Sequence, residues 1–465
     1  MHPRARETAR IRAIPWWLKN TEVLGVKRVA FCTFGCRLNQ YDTETVRTLL
    51  EARGAWRSVG SREEADLYVV NTCSVTARAD ATARKAIRRL HAEHPEARIA
   101  VTGCYAQRAP RELADLPGVA LVVGAADKGE IAARVDAIEP GETLIAVSPI
   151  ERAKTFIDLP ISEMMEHSRA YVKVQEGCNN SCTFCIVPST RGASRSRPFA
   201  SVVAQVQELV ANGYAEIVLT GVHIGDYGID LAAGRRQLPE LIRAVLAIPG
   251  VERFRLSSIE PASVSDEIIE MMAGEPRFAR HFHIPLQSAS DSVLARMRRH
   301  YRGADFAALV RRIAAAVPDC GIGSDVICGF PGESDDDFME TFALLHELPI
   351  SYIHPFTYSV RPGSEAEAFG DQVSGEVKKR RTRSLKRLSA DKGREFRNRH
   401  LGKVMEVLVE DGRGGAVARR SGWTDNYLRV ELPADAPPKG LIEVRITGLS
   451  ADGLVGERWH ANLDA

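Results

Sequence analysis

The chain has 465 residues, too many for one ordinary hydrophobic core, so we expect two or three domains. Hydrophobic residues make up 45% and charged residues 26%, a globular composition, and no apolar run is long enough to cross a bilayer. The net charge of +2 excludes nucleic-acid binding that rests on overall charge, so any such surface must come from local basic patches.

Residues 1–26 are rich in arginine and contain the adjacent tryptophans Trp16 and Trp17. No apolar segment follows the arginines, which argues against a secretory signal. We predict a flexible N-terminal extension, with an arginine-rich targeting or RNA-binding arm as the alternative. The expected location of the protein is the cytoplasm, without membrane association.

A first domain is predicted over residues 27–145, where short β-branched runs alternate with helical stretches. This alternation is typical of an α/β fold with a small doubly wound parallel sheet. The predicted strands are Arg28–Thr33, Leu67–Asn71, Ile99–Thr102 and Val119–Val123, and the predicted helices include Asp42–Arg53 and Ala77–His94.

Residues 145–168 carry prolines among mixed polar residues and are predicted to be a linker. The alternation restarts in a second domain, residues 165–397, where six strand–helix units predict a parallel barrel or three-quarter barrel. The six predicted strands are Tyr171–Gln175, Glu216–Thr220, Phe254–Ser258, His281–Pro285, Gly323–Cys328 and Tyr352–Tyr358.

The basic run Lys378–Arg387 lies in a predicted helix that reaches to about Arg399. A third domain, residues 400–463, has strand-like runs with glycines between them, which predicts a five-stranded OB-like β-barrel. Barrels of this kind bind oligonucleotides, so the basic run is either an RNA contact or an ordinary solvated helix face. The predicted strands are Val404–Glu410, Tyr427–Val430 and Ile442–Leu449.

The nine cysteines are an odd number spread along the chain, which favours metal or redox chemistry over a disulfide framework. Cys178, Cys182 and Cys185 follow the first strand of the second domain, in the run VQEGCNNSCTFCIVP. Three thiolates at this spacing can bind three corners of a [4Fe–4S] cluster and leave the fourth iron open. The alternative, a zinc site, lacks a fourth cysteine or histidine nearby.

This loop resembles the signature of the radical-SAM superfamily. The resemblance implies that the open iron binds S-adenosylmethionine and that the reduced cluster cleaves it to a 5′-deoxyadenosyl radical. It also implies that the six-stranded barrel is the partial TIM barrel of that superfamily.

Three further cysteines, Cys36, Cys73 and Cys104, each follow a predicted parallel strand of the first domain. Because the carboxyl ends of parallel strands meet at one edge of a sheet, we expect these thiols to converge. The alternative is that they are buried as small hydrophobic residues. Core packing is the expected role of Cys32, Cys320 and Cys328.

The strings TFGCRLNQYDTE, VVNTCSVTARAD and TGCYAQ, with the later cysteine loop and the β module, resemble the methylthiotransferase family. The resemblance covers about residues 27–460. It implies a second [4Fe–4S] cluster on Cys36, Cys73 and Cys104 that carries the transferred sulfur group. It also implies an electron donor of the flavodoxin or ferredoxin type, and it leaves the sulfur donor unknown.

Loops after the barrel strands are expected to hold the cofactor and substrate, because glycines there let backbone amides approach a ligand. The family's contacts at these positions point to Gly221, Ser258, Gln287 and Gly332 as cofactor-binding residues. The polar residues of these loops are either acid–base groups or hydrogen-bonded loop residues, and they are His223, Asp226 and Glu260.

The C-terminal module is similar to the TRAM domain with which methylthiotransferases bind RNA. Cationic and aromatic side chains there suit structured RNA but are also ordinary barrel packing, and they are Arg419, Arg420, Trp423 and Tyr427.

The segments TGVHIGDYG and HIPLQSASDSVLARMRRHY look most like the family members that modify N6-threonylcarbamoyladenosine at position 37 of tRNA. Ser189 departs from the tyrosine that is common there, which affects only the pocket. The implied partner is the tRNA anticodon stem-loop. Alternative substrates are isopentenyladenosine 37 of tRNA and a ribosomal-protein aspartate, and a non-catalytic iron–sulfur RNA-binding module is a further alternative.

Overall fold

A computed structural model describes residues 26–139, 141–164, 167–410 and 420–459. The predicted N-terminal extension, apart from its last residue, and Arg419 lie outside these ranges. Within them, no helix is both long and apolar enough to span a membrane.

The N-terminal sheet has six parallel strands in the order β2-β1-β3-β4-β5-β6. Apolar side chains pack on both faces, with α1 and α5 on one face and α2, α3 and α4 on the other, so the doubly wound prediction is confirmed. The elements are β1 Lys27–Thr33, α1 Arg37–Glu51, β2 Trp56–Val59, β3 Leu67–Thr72, α2 Ala77–Glu93, β4 Arg98–Gly103, α3 Cys104–Arg108, α4 Pro110–Ala114, β5 Val119–Val123, α5 Ile131–Asp136 and β6 Leu144–Ala146.

The four predicted strands of this sheet correspond to β1, β3, β4 and β5, and sequence analysis missed the two edge strands. Both missed strands are short, and β6 is only three residues long. Helix α1 begins at Arg37, five residues before the predicted start, so it follows Cys36 directly.

The predicted linker is packed between the two domains. Ile150 and Ile161 are buried, and the backbone oxygen of Leu159 accepts a hydrogen bond from the hydroxyl of Tyr41 in α1 (3.1 Å). The amide of Ile161 donates to Gln205 of the second domain (2.9 Å). This segment therefore ties the two domains together.

The second domain forms an open arc of parallel strands, which confirms the partial barrel. Strands β11-β10-β7 and β12-β13-β14 form two groups, joined by a bridge between Phe254 and Phe278. The elements are β7 Arg169–Lys173, β8 Gln175–Glu176, α6 Val187–Arg191, β9 Arg195–Ser196, α7 Phe199–Ala211, β10 Glu216–Thr220, α8 Leu238–Leu246, β11 Arg253–Leu256, α9 Asp266–Gly274, β12 His281–His283, α10 Asp291–Arg296, α11 Gly303–Ala316, β13 Gly321–Cys328, α12 Asp335–Glu347, β14 Tyr352–Thr357 and α13 Gly375–Asn398.

The C-terminal module is a closed five-stranded barrel in the order β15-β16-β17-β19-β18, as predicted. Its core is made of aliphatic side chains such as Val407, Val430 and Val444. The strands are β15 Val404–Glu410, β16 Arg420–Thr424, β17 Arg429–Leu432, β18 Gly440–Leu449 and β19 Leu454–Arg458.

This small barrel is docked at the amino ends of the large barrel's strands. Arg255 in β11 donates to the backbone oxygens of Thr424 (3.1 Å) and Asp425 (2.8 Å), and Arg253 donates to that of Trp423 (3.0 Å). Both guanidinium groups are buried around Glu216. Hydrogen bonds and buried charge therefore fix the position of the C-terminal module.

Glu216 is the acidic centre of this docking site. Burial alone would raise the pKa of its carboxyl, but Arg255, Arg169 and Arg253 outweigh it and hold the pKa well below its usual range. A carboxyl with a depressed pKa stabilises the fold above its unfolded-state pKa of about 4.3, and this contribution is lost as the pH falls below that value.

We predict that Glu216→Gln destabilises the protein by about 3 kcal/mol at pH 7, because buried guanidinium groups lose their counter-charge. The destabilisation should shrink as the pH falls below about 4.3, since Glu216 then takes up a proton in the unfolded chain while it stays ionised in the folded protein. Denaturant unfolding at pH 7 and pH 4 measures both effects.

Glu240→Gln is the matched control, because Glu240 forms an exposed ion pair with Arg235 that is expected to contribute less than about 1 kcal/mol. Equal unfolding of Glu216→Gln and wild type at pH 7 would show that this charge cluster does not hold the docked module.

Candidate active site

The loop with Cys178, Cys182 and Cys185 follows β8 at the carboxyl end of the barrel strands. Gly177 has a φ of +74°, and a Cβ there would lie 2.0 Å from the backbone oxygen of Ala193, so this position requires glycine. The amides of Asn180 and Val187 donate to the sulfurs of Cys178 and Cys185, each at 3.4 Å. The loop therefore curls around its own thiols.

Burial raises the pKa of Cys178 to about 11 and of Cys185 to about 12, and the neighbouring thiols act in the same direction. Arg299 donates to the sulfur of Cys182 (3.4 Å) and forms an ion pair with Glu260. Buried thiols surrounded by N–H donors fit an iron–sulfur cluster, since bound iron stabilises the thiolates that burial disfavours.

The three cysteines of the first domain lie at the carboxyl edge of its sheet, because β1, β3 and β4 are neighbouring parallel strands. Cys36 directly precedes α1, Cys73 directly follows β3, and Cys104 begins α3. A Cβ on Gly35 would lie 2.7 Å from the Cβ of Cys73, so the first two loops touch. Burial raises the pKa of Cys73 to about 11, and the nearby thiols Cys104 and Cys36 add to the shift. Three thiols that meet at one sheet edge, of which Cys104 is buried and Cys36 exposed, fit a second cluster.

Arg191 connects the two cysteine triads. It lies at the end of α6, six residues after Cys185, and its Nε donates to the sulfur of Cys104 across the domain boundary (3.3 Å). Its other nitrogens bind the side-chain oxygens of Asn39 (2.5 Å) and Glu176 (2.7 Å).

A buried cluster of charges surrounds Arg191 at this boundary. Asp42 of α1 accepts from Lys173 (2.5 Å) and pairs with Lys128 (2.8 Å), and Glu176 contacts the same two lysines at 3.1 and 3.2 Å. Burial would raise the pKa of Asp42, but Lys128 and Lys173 outweigh it and lower the pKa to about 2. Both carboxylates are thus ionised and each binds three cationic groups.

A second buried ion pair fixes the Cys73 loop against the barrel. Arg361, which follows β14, donates to Asp80 of α2 (2.6 Å) and to Ser74 (2.9 Å), the residue after Cys73. Arg108 of α3 binds the same Asp80 at 3.1 Å. Loops from both domains therefore hold this thiol in place.

A cavity of about 190 Å³ lies between the two cysteine loops. Its wall includes Cys185 on one side and Val75 and Thr76, which follow Cys73, on the other. Gln287 and Asp325 supply polar groups, and the rest is largely apolar: Phe184, Ile186, Val187, Ile327 and Phe356. The cavity is therefore a largely apolar pocket beside Cys185 and the loop that follows Cys73.

The structure places the four predicted cofactor-binding residues in loops after barrel strands. Gln287 lines the cavity with a positive φ of 66°. The hydroxyl of Ser258 lies 2.7 Å from Nδ1 of His283. Gly221 packs on Gln175, and Gly332 packs against the guanidinium of Arg296, where a Cβ would overlap it. The φ of +79° already accounts for glycine at position 332, since the flexible Arg296 side chain could move away from a Cβ.

Nδ1 of the candidate His223 lies 3.1 Å from the carboxylate of Asp226 but has no hydrogen-bond partner among the described residues. Arg236 binds Asp226, and Arg299 binds Glu260. The negative charges of Asp226 and Glu260 both act on the pKa of Cys178, so these groups lie close to that cysteine loop. Both carboxylates therefore already have protein partners.

The remaining cysteines and the C-terminal aromatics pack against protein. Cys320 and Cys328 are buried, and Cys32 is packed beside the apolar core of the first sheet. Tyr427 stacks on His281 (4.5 Å) and on Trp423 (4.7 Å), and its hydroxyl accepts a hydrogen bond from Arg37 of the first domain. These contacts correspond to the alternative in which Trp423 and Tyr427 are packing residues of the barrel, and not to an open RNA-binding surface.

Sequence analysis did not single out Arg191, Arg299 or His354. Arg191 and Arg299 act on cysteines 87 and 117 positions away in the chain, and no local pattern indicates such distant pairs. The only available signal was their nearness in sequence to recognised strings, Arg191 in the string after Cys185 and Arg299 in the string after Gln287.

Comparison with known proteins matches two regions of the chain to protein families. Residues 28–124 match the family described as uncharacterized protein family UPF0004, and residues 172–345 match the radical SAM superfamily. A solved radical S-adenosylmethionine methyltransferase, TsrM from Kitasatospora setae, superposes with a TM-score of 0.53 over 71% of this chain and 75% of its own, at 15% identity. That likeness concerns the fold alone.

Curated relatives match over most of the chain. Threonylcarbamoyladenosine tRNA methylthiotransferase MtaB from Bacillus subtilis is 40% identical over 86% of this chain and 89% of its own length. The protein of the same name from Aquifex aeolicus is 38% identical over 87% and 96%. A tRNA-2-methylthio-N(6)-dimethylallyladenosine synthase from Acidothermus cellulolyticus is 35% identical over 92% and 87%. The chain therefore belongs to the radical-SAM methylthiotransferase family.

Proposed function

We propose that this protein adds a methylthio group to C2 of N6-threonylcarbamoyladenosine at position 37 of tRNA. The observation that carries the proposal is the placement of two cysteine triads on either side of one cavity. C2 of adenosine is an unactivated aromatic carbon, so its substitution needs both a radical source and a sulfur source. The names of the relatives from B. subtilis and A. aeolicus, at 38–40% identity, support this nucleoside.

The family uses S-adenosylmethionine and [4Fe–4S] clusters. In our proposal, Cys178, Cys182 and Cys185 hold the cluster that binds S-adenosylmethionine. The second triad, Cys36, Cys73 and Cys104, holds the cluster that carries the sulfur group. Bound together, these groups supply one-electron cleavage of a sulfonium and delivery of sulfur.

The protein's own residues position these groups and exclude water. Arg299 and Arg191 each direct an N–H toward a cysteine sulfur, which favours the thiolate. The apolar side chains of the cavity keep water from the reacting carbon. In the same proposal, the loops after the barrel strands bind S-adenosylmethionine through Gly221, Ser258, Gln287 and Gly332.

The proposed domains are residues 27–145 for the second cluster, 165–397 for radical chemistry and 400–463 for an RNA-binding TRAM-like module.

Two helices near the cavity have exposed basic faces that suit the tRNA backbone. Helix α2 begins one residue after Thr76 of the cavity wall, and α13 packs along β14, whose end also lines the cavity. Their exposed basic residues are Arg78, Lys85, Arg88 and Arg89 on α2, and Lys379, Arg383, Lys386 and Arg387 on α13. The proposal includes a cytoplasmic location and an electron donor of the flavodoxin or ferredoxin type.

We predict that Cys185→Ala and Cys36→Ala fail at different steps. With reconstituted clusters, S-adenosylmethionine, a reductant and the modified anticodon stem-loop, Cys185→Ala should form no 5′-deoxyadenosine. Cys36→Ala should still form 5′-deoxyadenosine but no methylthio product, because only the sulfur-carrying triad is broken. Nucleoside mass spectrometry and chromatography of the cleaved cofactor measure the two products.

Cys320→Ala is the control, since this buried thiol lies in the core under the barrel helices and should leave both products unchanged. Formation of methylthio product by Cys36→Ala would contradict the role of the first-domain triad.

For the nucleoside, we predict that tRNA from a strain lacking this gene loses the methylthio group of 2-methylthio-N6-threonylcarbamoyladenosine. It should keep the methylthio group of the isopentenyl nucleoside. Mass spectrometry of digested tRNA measures both, and restoration by the gene in trans is the control. The reverse pattern would assign the protein to isopentenyladenosine 37.

Arg191→Lys tests the link between the two triads. We predict that it keeps the positive charge near Asp42 and Glu176 but loses the N–H donor to Cys104, because lysine has no planar fork of donors. The ratio of 5′-deoxyadenosine to methylthio product should rise, since sulfur delivery is impaired while the radical loop is intact. Arg236→Lys, at an exposed guanidinium, is the control. An unchanged ratio would show that Arg191 only stabilises the fold.

A further inference from the structure

Three possible metal ligands converge inside the large barrel, and none of them belongs to a cysteine triad. His283 ends β12, Asp325 lies in β13 and His354 in β14. In the parallel register Asp325 is opposite His354, and His283 is opposite Gly323, two residues before Asp325. Because side chains alternate along a strand, all three point to the same side of the sheet.

The distances between their ligand atoms suit a single ion. Nε2 of His283 is 3.2 Å from Oδ1 of Asp325, and Nδ1 of His354 is 3.5 Å from the same oxygen. All three atoms lie within 4.8 Å of one another. Adjacent ligands of a divalent metal with bonds of about 2.1 Å are about 3.0 to 3.4 Å apart. The triad is therefore nearly at coordination spacing already.

Nε2 of His283 is buried and has no hydrogen-bond partner among the described residues. Nε2 of His283 is close to Asp325, but the angle between the two groups does not suit a hydrogen bond. This is expected when both atoms point toward a third position, where a metal ion would bind. The other ring nitrogen, Nδ1, lies 2.7 Å from the hydroxyl of Ser258. Such a partner fixes the ring and leaves Nε2 free to bind a metal.

Asp325 supplies the carboxylate of the group, and its Oδ1 faces a nitrogen of both rings. Two histidines and one carboxylate are typical ligands of zinc and of other divalent transition metals.

We propose that His283, Asp325 and His354 bind one divalent transition-metal ion whose open positions take the carboxylate of the substrate's threonyl group. The second half of this proposal rests on the proposed function. Asp325 lines the cavity, so an ion bound to it is accessible from there.

The charge of the cavity wall explains why a metal ion is needed to bind the substrate's carboxylate. Among the described residues that line the cavity there is no lysine or arginine, and Asp325 is a negative charge that repels a carboxylate. A divalent ion bound by one carboxylate and two neutral imidazoles keeps a net charge of +1. The site then attracts a nucleoside with a threonylcarbamoyl group over one with an uncharged isopentenyl group.

The first test measures zinc bound to the protein with both clusters in place. After equilibrium dialysis against zinc, elemental mass spectrometry counts zinc and iron in wild type, His354→Gln and Asp325→Asn. We expect one zinc ion in wild type that binds at least about tenfold more weakly to both variants, with iron unchanged. His354 is half exposed, so its substitution should not disturb folding. The control is His346→Gln, on the outer helix α12, which should bind zinc like wild type.

Equal zinc binding by all four proteins, or no zinc bound by wild type, would overturn the metal site.

The second test compares anticodon stem-loops with and without the threonylcarbamoyl group. Zinc should strengthen binding only of the modified RNA, and only with an intact triad. If zinc binds but leaves the preference between the RNAs unchanged, the carboxylate role is overturned. Bound zinc in a protein that methylthiolates another nucleoside would overturn the proposed function and leave the metal site standing.

Discussion

The buried charge cluster between the first two domains is the interaction on which the arrangement of the active site depends. Asp42 and Glu176 are surrounded by Lys128, Lys173 and Arg191, all removed from water. A buried ion without partners costs several kcal/mol, so the domains fit together in the one position where each carboxylate meets its cations. An apolar interface of the same size tolerates sliding, but this one does not.

The same charge cluster has one cation more than it has carboxylates, and one of its cations contacts a cysteine sulfur. Three cations and two carboxylates leave a net charge of +1, and the guanidinium of Arg191 is the group that touches Cys104. The same ion set therefore fixes the distance between the domains and favours the thiolate form of one triad. A single side chain, Arg191, therefore links the position of the two domains to the chemistry of this cysteine triad.

The sequence predicted the features that local patterns encode. Alternating strands and helices indicated the first two folds, and strand-like runs separated by glycines indicated the third. The position of each cysteine after a parallel strand indicated where the thiols lie. The pairs that hold the domains together were not predictable, because Asp42 and Lys173 are 131 positions apart and nothing in the string that contains Asp42 indicates its partner. The aromatic residues Trp423 and Tyr427 were ambiguous for a similar reason, since stacking on RNA and on His281 requires the same chemistry. His354 became a candidate metal ligand only once the structure showed β13 next to β14, because this pairing brings it opposite Asp325.

The docking of the small barrel has a consequence for how the chain matures during synthesis. Arg255 lies in the floor of the large barrel, and its backbone acceptor at Asp425 is 170 positions later in the chain. Until the ribosome has made those residues, the guanidinium groups around Glu216 face water and the amino end of the barrel stays open. The amino end of the large barrel is therefore among the last parts of the molecule to close.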